Sequence, residues 1–113
     1  MPARVNIWTS LDRMGRLAAS SIPASEACKE IDALAADAMA EIARVRSLLG
    51  HMRFMPNVNG LDAMLRGIRQ QAAIGKKKNV ADILVFIETG RSCFPGVEAE
   101  MNNLIRRWPH VVE

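Results

Sequence analysis

Cys28, Ile31, Ala35, Ala38, Ile42, Val45, Leu49 and Met52 follow one another at intervals of 3, 4, 3, 4, 3, 4 and 3 residues. This alternation keeps an apolar stripe on one side of an α-helix, whereas a strand would scatter the same residues over both faces. The spacing predicts a long helix capped by Ser25 and stopped near Gly50. Acids crowd its start (Glu26, Glu30) and arginines its end (Arg44, Arg46), the order that the helix dipole favours. Ala35 and Ala38 imply a neighbour packed closely against its first half.

Such a stripe can face the inside of a bundle or a second chain. Leu34, Met39 and Leu48 widen it beyond a single seam, which favours partial use between chains. The expected partner or oligomer interface is Leu34, Met39, Ile42, Val45, Leu48, Leu49 and Met52. Methionines 52, 55 and 64 around one loop add an adaptable apolar surface.

Weaker periodicities surround the long helix. Trp8, Leu11, Met14, Leu17 and Ala18 form a short first helix, with Thr9 or Ser10 as cap, ending near "ASSIP". The stretch "RFMPNVNG" (53–60) reads as a loop, broken by Pro56 and Gly60, with Asn59 as the next cap. Leu61, Met64, Leu65, Ile68 and Ala72 make a third helix that ends about Gly75. Val97, Met101, Leu104, Ile105 and Trp108 make a closing one, opened by Pro95 and ended by Pro109.

Residues 79–90, "NVADILVFIETG", are ambiguous. Asn79 and Asp82 resemble a capping arrangement and Gly90 a stop, yet "ILVFI" also suits a buried strand. A strand would need residues 4–8 or 110–112 as partners. A central, nearly encircled helix is preferred. The expected fold is all-α: one domain, 1–113, a compact bundle of four to five helices with one long central helix. The runner-up is α+β with a small sheet using 83–87.

Composition bounds the function. At 113 residues, 50% hydrophobic and 24% charged, the chain can bury a core without disulfides or metal. Its longest strongly apolar run is 83–87, against roughly 20 residues for a membrane span, so no membrane partner is expected. No signal peptide is recognisable at the start. Cys28 and Cys93 lack a CxxC spacing, and a reduced cytoplasmic setting follows. Abundant alanine, with arginine outnumbering lysine, is usage associated with bacterial or phage chains.

Charge is unevenly placed. Over 26–41, Glu26, Glu30, Asp32, Asp37 and Glu41 oppose Lys29 alone, a net −4. Over 44–78, Arg44, Arg46, Arg53, Arg66, Arg69, Lys76, Lys77 and Lys78 oppose Asp62 alone, a net +7. These eight basic residues are the candidate phosphate contacts, and "IGKKKN" is no P-loop. Base stacking would need exposed aromatics, and only Phe54 lies nearby. The helix-turn-helix order in 86–107 is spoiled by Glu98 and Glu100 at the start of the would-be reading helix.

Catalysis and metal binding find little support. Cys28, Cys93, His51 and His110 are scattered, which predicts no metal site. Cys93 precedes a helix start, where a thiolate could be favoured, but no base is recognisably oriented toward it. Glu98 and Glu100 lie two apart on a helix and do not face each other. Both cysteines are expected to be small buried core residues. The chain is therefore expected to be non-enzymatic, without cofactor or small-molecule substrate. Its expected role is protein–protein binding as an adaptor, regulator or inhibitor, with self-association. The alternative is a basic module that contacts nucleic-acid backbone through the 66–78 patch.

Overall fold

The computed structural model describes residues 7–49 and 56–107, the side chains at 45, 46, 48, 49 and 101–107 excepted. Helices α1 (Ile7–Ala19), α2 (Ala24–Leu49), α3 (Pro56–Ile74), α4 (Lys77–Gly90) and α5 (Phe94–Arg107) follow in order, with a 3-10 turn at Arg91–Cys93 before the last. The protein is an all-α bundle. No strand occurs among the described residues, and the alternative sheet through 83–87 gives way to the middle of α4.

α2 is the longest element at 26 residues, about 39 Å at roughly 1.5 Å per residue. Cys28, Ile31, Ala35, Ala38 and Ile42 are each no more than 2% exposed, and Ala27 joins them at 1%. α2 packs chiefly against α1 and α3. Its buried alanines spare the space that larger side chains would take, which is how small residues let helices approach. Ser25 does not cap it: the helix opens one residue earlier, and the Pro23 carbonyl accepts the amides of Glu26 and Ala27, both at 3.0 Å.

α3 departs from expectation at its start. It begins at Pro56 and runs through Asn59 and Gly60, instead of opening after them. Proline suits the first helical position because its missing N–H has no partner to lose there. The cap comes from the far end of the chain. The Glu100 carboxylate on α5 accepts the backbone amides of Asn57 and Val58, both at 3.0 Å, and the Asn57 side-chain amide at 2.6 Å. Gly96 lets the start of α5 come this near, since a β-carbon there would stand 2.6 Å from the Asn57 amide.

At its other end α3 stops where Gly75 turns left-handed, with φ +76°, a conformation costly for any residue carrying a β-carbon. Asn79 then sits in the first turn of α4, not before it. Its Oδ1 accepts the Lys76 amide at 3.2 Å, and its Nδ2 donates to Gln71 on α3 at 2.7 Å, so a buried polar side chain is used twice.

The expectation of an encircled helix at 79–90 is wrong. α4 buries one stripe, Asn79, Ile83 and Ile87, spaced by four, where it rests on α3 and α1. Val80 and Leu84 are half-buried, while Val85 is 62% and Phe86 37% exposed. Five consecutive apolar residues point all round a helix, and α4 has neighbours on one side only. α5 lies along α3. Trp8 and Phe94 meet at 5.3 Å between ring centroids, tying α1 to the start of α5.

Candidate interaction surface

The seam of α2 is turned inward as far as it is described. Ile42 is 2% exposed, and Leu34 and Met39 are partly buried against the same core. These three side chains have intramolecular neighbours in the single chain. The side chains of Val45, Leu48 and Leu49 lie outside the described residues, as does Met52.

The basic stretch divides into two classes. Arg44 forms an ion pair with Glu41 at 2.6 Å, Arg66 with Asp62 at 2.9 Å and Arg69 with Asp32 at 2.8 Å. The hydrogen bonds they donate to Glu41 and Asp32 hold the Arg44 and Arg69 guanidiniums still more firmly protonated than usual. Arg53 and the Arg46 side chain lie outside the described residues. Lys76, Lys77 and Lys78 differ: all three are exposed at the start of α4, and none pairs with a described carboxylate. The packing of α2 on α3 brings Arg69 to Asp32, so the acidic and basic stretches of sequence partly neutralise each other in the fold.

α4 presents two partly exposed flanks. On one, Val85 and Phe86 stand out beside Lys78, Asp82 and Thr89. The Phe86 ring lies over Gly67 of α3, where an added β-carbon would be 3.6 Å from it. Below it runs an apolar groove of about 380 Å³ lined by Gly60, Leu61, Ala63, Met64, Phe86, Thr89, Gly90 and Cys93. On the other flank, Val80, Ala81 and Leu84 face the α1–α2 link across a groove of about 760 Å³ with Lys77 at its rim. Ile22 in that link is 41% exposed, and Ile74 at the neighbouring end of α3 is 60% exposed.

The sequence named none of these four exposed residues as surface, although a five-residue apolar run exceeds what one helix flank can bury. Glu100 was invisible too, because its partners lie more than 40 residues away in sequence.

The cysteines part company. Cys28 is 2% exposed, and burial raises its thiol above the usual range. Cys93 is exposed at the rim of the smaller groove, contrary to the expectation of a core position. Among the described residues no three His, Cys, Asp or Glu side chains gather as a metal site. α5 lies along α3 and follows α4 through the 3-10 turn at Arg91–Cys93. No described helix is long and apolar enough to cross a membrane. No family model, no curated protein and no solved structure matches this chain.

Proposed function

We propose that the chain is a non-enzymatic helical module, an adaptor or regulator, that binds another protein through the outer flank of α4. The observation that carries this reading is the pair Val85 and Phe86, 62% and 37% exposed, beside an apolar groove on α3. A helix ordinarily turns such residues inward, and an exposed aromatic over an apolar groove is the usual form of an interface anchor. Arg44, Arg66 and Arg69 each engage a carboxylate of the same chain, which weakens the alternative of nucleic-acid binding. What keeps that alternative in view is the unpaired Lys76–Lys78.

The test compares wild type with Val85→Lys and Phe86→Lys. Both variants should keep the helical circular dichroism of wild type. Cross-linking in an extract of the chain's own cells should give a partner adduct with wild type, weakened at least tenfold in each variant. Equal adducts from all three proteins would refute the assignment. So would the absence of any adduct together with salt-sensitive binding to duplex DNA that disappears in Lys76→Glu/Lys77→Glu/Lys78→Glu.

A further inference from the structure

The groove between the α1–α2 link and the start of α4 is not explained by the Phe86 flank. Ala19, Ile22 and Pro23 wall it on one side, and Val80, Ala81 and Leu84 on the other. Ala19 and Ala81 are exposed, and their short side chains leave the trough open. The link itself is tied down. The Ser20 hydroxyl donates to the Leu17 carbonyl at 2.7 Å and accepts the Ile22 amide at 3.4 Å. Ile22 is thus presented at 41% exposure on a link already held in place, which spares a partner the entropy of ordering it.

The charge of the groove has one sign. Lys77 lines it, no carboxylate does, and the positive end of the α4 dipole lies at the same rim. Lys76 and Lys78, the chain neighbours of Lys77, are exposed too, and none of the three pairs with a described carboxylate. From Lys77 to Leu84 the groove descends the side of α4 for about 10 Å, at roughly 1.5 Å per residue. A flat bilayer or a duplex meets protruding groups and leaves such a recess unfilled, whereas an amphipathic helix lays its apolar face into it. We infer that this groove receives an acidic amphipathic helix of a partner protein: its apolar face lies between Ile22 and Leu84, and its carboxylates meet Lys77. The contact is separate from the Val85–Phe86 flank, so one chain joins two proteins.

Phage-displayed random peptides of about 16 residues, roughly four helical turns, supply the probe when panned on the full chain after depletion on Ile22→Glu. Enriched clones should join an apolar helical stripe to carboxylates at one end. Synthetic copies should bind wild type, and roughly tenfold more weakly both Ala81→Glu, which fills the trough, and Lys76→Glu/Lys77→Glu/Lys78→Glu, which reverses its charge. The lysine triple variant should in turn prefer copies whose acids are replaced by lysine. All variants should keep the circular dichroism of wild type, because every substituted side chain is exposed. No enrichment, clones without acids, or binding indifferent to Ala81→Glu or to the charge reversal would each overturn the inference. So would retention of wild type by anionic phospholipid vesicles or duplex DNA, in place of acidic peptides, that Ile22→Glu abolishes. Val85→Lys should bind the peptides as wild type does, so failure here is separable from failure of the Phe86 flank.

Discussion

Replacing Glu100 should loosen α3 at its first turn, although the residue belongs to α5. Three donors converge on the carboxylate: the amides of Asn57 and Val58 at 3.0 Å and the Asn57 side chain at 2.6 Å. Removing a helix cap costs about 0.5–2 kcal/mol, and hydrogen bonds to a charged group contribute about 1.5–3 kcal/mol each, net of the water bonds they replace. The site is half-buried, so water recovers part of the loss. About 2 kcal/mol is then expected for Glu100→Ala, a fall of roughly 1 M in the urea midpoint at a slope near 2 kcal/mol per molar.

Glu100→Gln should lose about 1 kcal/mol, on the order of one charged hydrogen bond. Its single carbonyl oxygen can serve only one side of the site, and its NH2 then opposes a donor. Urea unfolding followed by circular dichroism measures both, with exposed Glu98→Ala as the control expected to stay within about 0.5 kcal/mol of wild type. A double-mutant cycle with Asn57→Ala should show coupling above about 0.5 kcal/mol. A Glu100→Ala midpoint indistinguishable from that of Glu98→Ala would refute the cap and the α3–α5 contact built on it.

Gly75→Ala should cost about 1–2 kcal/mol by the same unfolding assay, because φ of +76° places its β-carbon against the backbone. Unfolding no harder to provoke in wild type than in the variant would count against that turn. An aromatic disulfide reagent should label Cys93 rapidly in the native protein and Cys28 only on unfolding, since one thiol is exposed and the other buried. Burial raises the folded Cys28 value above the unfolded one, so its neutral thiol contributes no penalty below about pH 8.5 and stability falls as pH climbs above that. Cys28→Ala should remove that alkaline component from the stability profile, and an unchanged profile would sink the assignment.

The fold was legible where burial follows a single period. Along α2 the 3–4 spacing names the same residues that are buried from Cys28 to Ile42, because a helix enclosed by α1 and α3 has one inner face and shows it in the sequence. Helix starts were less legible. Asn59 carries a residue type that often caps, yet α3 begins three residues earlier because a carboxylate from α5 satisfies its first amides. Nothing near Pro56 encodes that partner. The run 83–87 was read as deeply buried because composition there outweighs period. α4 has too few neighbours to bury five successive residues, and that follows only from the arrangement of the other helices.

The candidate site shows the same division in its charges. The +7 of residues 44–78 suggests a continuous field for phosphates, but a window of sequence counts charges without their neighbours. Folding lays the acidic start of α2 beside the end of α3, and Asp32 takes Arg69 while Asp62 and Glu41 take the arginines one turn along their own helices. What survives is local: three exposed lysines at the start of α4. Paired charges of opposite sign have a short reach, because their fields cancel within a few times their separation. The summed charge of the window therefore overstates the field that the folded chain presents.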